Sequence, residues 1–372
     1  MQRDVLVIYG GRSTEHDISR RSAAHVLTHL DRQKFRVHAV AIDQDGHWHP
    51  QNVEALLANG KGPVPILPDT QTNPKSQGTI RTPRDALMQL AGLSHLSAQD
   101  QDQLAIFPIL HGTNGEDGTL QGFFQQADVA FVGPDCLGSG IGMDKVVSKR
   151  LAQAAGVPVV PWVDIRLDAW DQHGHHICEK AIKEFGFPLF VKPAQLGSSV
   201  GVTKVKKASE LKAACESALK YDDRIMIEKG LDVREIEVGM LGGYEPLASI
   251  PGEVIPHADF YSYDAKYIDA QGASMAIPAK LTPAEIVEAK DLARKVFVGL
   301  ELYGMARVDL FLEKTTGHFY FNEVNTIPGF TEISQYPLLW KETGVSPSEL
   351  LTRLIEAGVR RQVQKRQLLR SK

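Results

Sequence analysis

The apolar run Val5-Leu6-Val7-Ile8 stops at Gly10-Gly11 and gives way to a segment, 18–30, whose apolar positions Ile18, Val26, Leu27 and Leu30 fall on one side of a helix. A second apolar run follows at 37–42. Strand, turn, helix and strand in that order predict a right-handed crossover and a parallel sheet. Further strands are expected at 104–110 and 129–132, although Pro108 weakens the case for the first. Residues 60–83, rich in Gly, Pro, Thr and Asn, read as an exposed excursion. After Gly133-Pro134 the pattern changes to a helix at 145–155 stopped by Gly156, a strand at 157–163, a helix ending at Phe185 before Gly186, and a strand at 187–192. This second, smaller α/β unit continues to Glu228. At 234–240, Ile236, Val238 and Met240 alternate against Glu235, Glu237 and Gly239, as in a half-buried strand of a mostly antiparallel sheet. Thr282-Pro283-Ala284-Glu285 and Ser346-Pro347-Ser348-Glu349 each supply an N-cap, a proline at the first helical position and a glutamate at the third, so each starts a helix. The pattern divides the chain into an N-terminal α/β domain (1–134), a small central unit (135–230) and an α+β C-terminal unit (231–372).

At 372 residues the chain is long enough for two or three cores, and no apolar stretch approaches a membrane span. The start of the chain is too short an apolar run for a signal peptide, so a cytoplasmic protein is expected. A formal charge of -4 argues against general nucleic-acid binding. The one basic cluster, Arg360, Arg361, Lys365, Arg366, Arg370 and Lys372, reads as a solvated helix end. Cys136, Cys178 and Cys215 are odd in number and widely spaced, which suits buried free thiols.

The chemistry concentrates in two runs, 305–313 and 318–325, that form a hairpin around Lys314-Thr315-Thr316-Gly317. Alternation puts Arg307 and Asp309 on one face of the first strand and Glu323 and Asn325 on one face of the second. If the faces coincide, a cation, two carboxylates and an amide form one wall suited to magnesium and a nucleotide phosphate; the alternative is a polar outer face of the sheet. Val191-Lys192-Pro193 leads from a strand into Ala194-Gln195-Leu196-Gly197-Ser198-Ser199-Val200-Gly201, whose glycines allow amides to turn toward an anion, although a solvent loop has the same composition. It is not the G-x-x-x-x-G-K-[ST] of a P-loop.

Gly304-Met305-Ala306-Arg307-Val308-Asp309 and Asn322-Glu323-Val324-Asn325-Thr326-Ile327-Pro328-Gly329 together resemble the metal and oxyanion region of D-alanine:D-alanine ligases. The resemblance extends over nearly the whole chain and implies an ATP-grasp fold behind an N-terminal parallel α/β domain. It implies that ATP and two D-alanine molecules are the substrates, that Asp309, Glu323 and Asn325 hold two Mg2+ ions for which Mn2+ can substitute, and that Arg307 and the Gly329 amide stabilise a tetrahedral intermediate, with Ser334 beside them. Lys145 and Lys192 correspond to the phosphate lysines, Ser199 and Asn322 to nucleotide contacts, and Glu228, Lys229, Leu231 and Glu235 to the adenine and ribose contacts. The aromatic residue usual after the lysine is Gly230 here. Gly10-Gly11-Arg12-Ser13-Thr14-Glu15 resembles the first substrate motif, with Glu15 on an ammonium, and His111-Gly112-Thr113-Asn114-Gly115-Glu116-Asp117-Gly118 the second, with His111 near a carboxylate. Phe260-Tyr261-Ser262-Tyr263-Asp264-Ala265-Lys266-Tyr267 resembles the closing loop, with Phe260 and Lys266 on the nucleotide and Tyr267 joining Glu15 and Ser198. The implied partners are small molecules and a second copy of the chain, with neither nucleic acid nor membrane. Close relatives in fold that join D-alanine to D-lactate or D-serine are the competing function, and a non-catalytic nucleotide sensor is the alternative from another class.

Overall fold

The computed structural model describes residues 2–58, 62–66, 81–256 and 273–369. The first sheet has the order β3-β2-β1-β4-β5, with β1 Arg3–Gly10, β2 Phe35–Ile42, β3 Trp48–Gln51, β4 Ala105–Ile109 and β5 Ala130–Phe131. All neighbours are parallel except β2 and β3. Val5, Val7 and Tyr9 pack on one side and Leu6 and Ile8 on the other, which is why β1 reads as a continuous apolar run. Pro108 sits in β4 opposite Ile8 of β1. The interior position is tolerated because β5 pairs only with Ala105 and Ile106 and ends before reaching the proline. Pro83, expected in the excursion, instead opens the helix Pro83–Leu90, capped by Thr82 with Asp85 answering in a capping box; residues 67–80 lie outside the described region.

The second sheet, order β6-β9-β7-β8, comprises β6 Trp162–Arg166, β7 Leu189–Pro193, β8 Thr203–Val205 and β9 Arg224–Lys229, all antiparallel. The strand expected at 157–163 begins only at Trp162. Before it, Val159 makes a single parallel bridge to Phe321, and Ala152 and Val157 pack into the core of the third sheet. The third sheet runs β13-β12-β10-β14-β15, from β10 Val233–Gly242, β11 Leu247–Ala248, β12 Gly252–Pro256, β13 Ala273–Ala276, β14 Gly304–Glu313 and β15 Phe319–Asn325, with β11 against β10. Strand β10 is paired on both sides, to β12 and β14. Both capping signals hold: Thr282 accepts from the Glu285 amide at the start of Pro283–Gly299, and Ser346 from the Glu349 amide at the start of Pro347–Arg366.

That last helix returns to the N-terminal sheet, and Leu350, Leu351, Leu354 and Ile355 share a core with Val5, Phe107 and Ile109. Its basic end is therefore not simply solvated. Arg361 is buried, donates to the carbonyls of Gly133 (2.7 Å) and Phe131 (2.9 Å), and lies over the rings of Phe131 and Tyr303. Lys365 reaches Asp135 and Arg366 reaches Asp128. Of the three free thiols only Cys215 is buried, while Cys136 is exposed, contrary to expectation. Among the described residues no helix is long and apolar enough to cross a membrane.

Replacing Arg361 with Leu leaves two buried carbonyls without donors, each of which costs about 1–3 kcal/mol. We expect Arg361→Leu to destabilise the fold by about 2–4 kcal/mol in urea unfolding, whereas Arg360→Ala, at an exposed position, changes it by about 0.5 kcal/mol or less. Equal effects would show that the end of the helix is held only by its apolar face.

Candidate active site

In the β14–β15 hairpin Arg307 lies opposite Asn325, and Asp309 opposite Glu323. Simple alternation would also put Phe321 on the face of Glu323, yet Phe321 is fully buried and pairs with Leu310. The register shift at Asp309/Leu310 resolves this: Asn322 is an extra residue in β15, and the bulge turns the preceding aromatic into the core and Glu323 out of it. Across β10, Glu237 is opposite Asp309 and Gly239 opposite Arg307. Three carboxylates thus form one row over three strands. Arg307 clamps Asp309 through Nε and Nη2, each at 2.7 Å, lies 3.4 Å from Glu237, and donates to Gln335 at 2.6 Å. Asn325 donates to Asp309 at 2.9 Å, and the Lys145 ammonium is 3.1 Å from Glu323. Burial lowers the Arg307 pKa, but Asp309, then Glu237, outweigh it and raise it further.

Lys145 begins the helix Lys145–Ala154, whose N-cap Asp144 accepts from the Val146 and Val147 amides, and the lysine also donates to the Leu196 carbonyl at 2.7 Å. The phosphate-loop candidate is thereby tied to the metal-wall candidate. On the facing sheet, Glu228 of β9 is buried between two ammoniums, Lys192 of β7 at 2.6 Å and Lys149 at 2.7 Å. Burial pushes the Glu228 carboxyl up, but Lys149 and Lys192 together outweigh it and hold it below its usual range. Burial depresses Lys149, which Glu228 offsets only in part. Against its own burial, Lys192 is raised by Glu228, Glu323 and Glu235. Two cations on one carboxylate leave an excess of positive charge in a dry place, a setting for a polyanion. Gly230 has a structural reason too: a Cβ there would lie 2.8 Å from both the Pro188 ring and its carbonyl, so Pro188 occupies the space of a side chain.

The loop after β7 carries Ser198 (φ 55°) and Ser199 (φ 59°) in the left-handed region, an unusual and strained pair for non-glycine residues. Ser198 Oγ donates to Glu15 at 2.6 Å. Glu15 precedes the helix His16–His29 but makes no side-chain cap, which leaves its carboxylate aimed across the cleft, near Gly112. Buried His111 lies between the Ile327 carbonyl (2.9 Å) and Ser22 Oγ (3.1 Å), and burial lowers its pKa against the pull of Glu15. Ser22 in turn accepts from the Phe330 amide at 3.1 Å. Gly329 is packed closely by Ser334, which accepts from the Thr331 amide at 2.9 Å. Phe260, Lys266 and Tyr267 lie outside the described residues.

Three further residues escaped the sequence reading. Lys149 is one helical turn after Lys145, and a wholly buried ammonium cannot be told from a surface lysine by spacing. Glu116 accepts from the Gly112 amide at 2.7 Å and the Ile327 amide at 3.3 Å, joining two motifs more than two hundred residues apart. Glu237 was visible only as a polar position in an alternating strand.

Comparison with known proteins identifies the family. Residues 4–134 match a family model described as D-ala D-ala ligase N-terminus, and residues 151–356 one described as D-ala D-ala ligase C-terminus. A protein of Bradyrhizobium diazoefficiens named D-alanine--D-alanine ligase A is 42% identical over 368 residues, 98% of this chain and 97% of that one. The D-alanine-D-alanine ligase structure from Coxiella burnetii superposes with a TM-score of 0.78 at 30% identity, covering 99% of this chain and 97% of that one. A D-Ala:D-Ser ligase from Enterococcus faecalis has the same TM-score and identity, over 96% of this chain and 100% of that one.

Burial first, then neighbouring Glu15, pushes the Glu116 carboxyl up to about 8, against its two backbone donors. A carboxyl with a folded pKa above its unfolded value of 4.5 holds its proton more tightly when folded, so stability falls as pH rises from about 4.5 to about 8. Glu116→Gln lacks that titration. The stability difference should move in the variant's favour across this window by up to about 1.4 kcal/mol per pH unit, and parallel pH-stability curves would show that Glu116 ionises normally.

Proposed function

The chain belongs to the D-alanine–D-alanine ligase family, and from that premise we propose the residue roles that let it join two D-alanine molecules with ATP. It is an ADP-forming ligase of the ATP-grasp fold that makes D-alanyl-D-alanine through an acyl phosphate for peptidoglycan precursors, and it uses a divalent metal. The observation that carries the residue assignment is the wall itself: Asp309 and Glu323 directly opposite each other on one face, with Lys145 and Arg307 already on them.

The donor set fits magnesium. Asp309, Glu323 and the Asn325 amide oxygen are hard ligands on adjacent strands, and two ions bound there, with Mn2+ as a substitute, would neutralise phosphate charge. Lys145 and Lys192 bind the phosphates, aided by Ser199, Lys266 and Asn322. Glu228, the main chain of Lys229 and Leu231, Glu235 and Phe260 line the adenine and ribose. Glu15 takes the ammonium of the first D-alanine and His111 faces its carboxylate. That carboxylate attacks the γ-phosphorus and ADP leaves, giving the acyl phosphate; the amine of the second D-alanine then attacks the acyl carbon, loses a proton and displaces inorganic phosphate. Arg307 and the Gly329 amide, supported by Ser334, hold the negative oxygen of the tetrahedral intermediate. Tyr267 closes with Glu15 and Ser198 and keeps water from the acyl phosphate. In this reading the domains are 1–134, 135–230 and 231–372, and the enzyme works in the cytoplasm as a homodimer joined through its N-terminal domain, a state that sedimentation tests directly.

Purified protein given ATP, magnesium and D-alanine should release one phosphate per dipeptide, and offering D-serine or D-lactate as acceptor separates the neighbouring specificities. We expect Glu323→Gln to fold normally and to lose about a hundredfold or more in kcat. Unchanged magnesium-dependent turnover would remove Glu323 from the metal site.

A further inference from the structure

Arg307 forms ion pairs with two carboxylates, Asp309 and Glu237, and the same nitrogen, Nε, faces both. Glu237 is almost wholly buried and stands across from Asp309 on the strand opposite to the one that carries Glu323. The order across the sheet is therefore Glu237, Asp309, Glu323, with Arg307 reaching into the first interval and the metal assigned above to the second. In this structure both Asp309 oxygens are engaged, by Arg307 and by the Asn325 amide. A divalent cation must draw on those oxygens, and it repels the guanidinium held against them. Gln335, the other partner of Arg307, supplies dipole but no charge. A guanidinium left against a cation without a carboxylate of its own would not hold its place in so dry a site.

We propose that Glu237 is a positioning residue that takes over Arg307 when Asp309 turns to the metal, so that cation and guanidinium do not compete for one carboxylate. The inference rests on the metal assignment made above. It extends that assignment to a residue on the far side of Asp309 from the ion. Glu237 acts through Arg307, and touches neither metal nor substrate.

Mn2+ binding to the full chain in the presence of ADP, followed by electron paramagnetic resonance, reads this without turnover. Glu237→Gln should weaken Mn2+ binding about tenfold, as expected when one charge-assisted contact is lost, because Arg307 then contests Asp309. Glu237→Asp, which keeps the charge on a shorter arm, should fall between. In an Arg307→Gln background the competitor is gone, and adding Glu237→Gln should change Mn2+ affinity by about twofold or less. A loss of the same size in both backgrounds would mean that Glu237 acts on the ion as plain charge, and would overturn the proposal, as would wild-type affinity in Glu237→Gln. Asp309→Asn separates the two levels of argument. If it leaves Mn2+ binding intact, the metal assignment itself fails; if it abolishes binding while Glu237→Gln binds normally, only the role of Glu237 fails. Thermal unfolding of each variant confirms that the affinities compare folded proteins.

Discussion

Glu237, Asp309 and Glu323 stand side by side across three strands, and like charges at such spacing repel by roughly 4 kcal/mol at 4 Å in an effective dielectric of about 20. The row is sustained because Arg307 reaches into it from within the sheet and Lys145 from outside. Much of the surrounding architecture serves that balance. Lys145 has its position because Asp144 caps its helix, and that helix packs its buried Ala152 into the core behind the sheet. The same lysine donates to the Leu196 carbonyl, so neutralising Glu323 also anchors the serine loop.

The facing sheet has the opposite excess. Lys149 and Lys192 share Glu228, and Lys192 also lies in the field of Glu323 and Glu235. Acidic and basic layers confront each other across the cleft, a complementarity that suits a metal-bound polyanion. Neither layer would be as favourable in isolation, because buried charge without a counter-charge forces neutralisation or unfolding.

The end of the candidate site near Glu15 and His111 is set by contacts between distant motifs. Glu116 joins the amides of Gly112 and Ile327, Ser22 joins His111 to the Phe330 amide, and Ser198 reaches Glu15. The final helix locks this arrangement by sharing a core with the N-terminal strands and burying Arg361 on Phe131 and Gly133. The turn that carries Ile327 and Phe330 is therefore tied directly to the N-terminal domain.

The sequence by itself determined the periodic and local features: the apolar strand at residues 5–8, the two capped helices at Thr282 and Ser346, and the hairpin with Arg307, Asp309, Glu323 and Asn325. These follow from rules that act over a few residues, so they are legible without a fold. Motif resemblance supplied Glu15, His111 and Lys192, whose chemistry their neighbours alone left open. The tertiary structure decided the rest. Only an extra residue at Asn322 turns Phe321 into the core and Glu323 out of it, and bare alternation does not contain a bulge. Only the packing of the last helix makes Arg361 a buried donor when its neighbour Arg360 stays exposed. Lys149, Glu116 and Glu237 gained their importance from burial beside groups far away in the chain. Burial removes the water that would otherwise screen a charge, and which charges lose it is settled only when the sheets and domains meet.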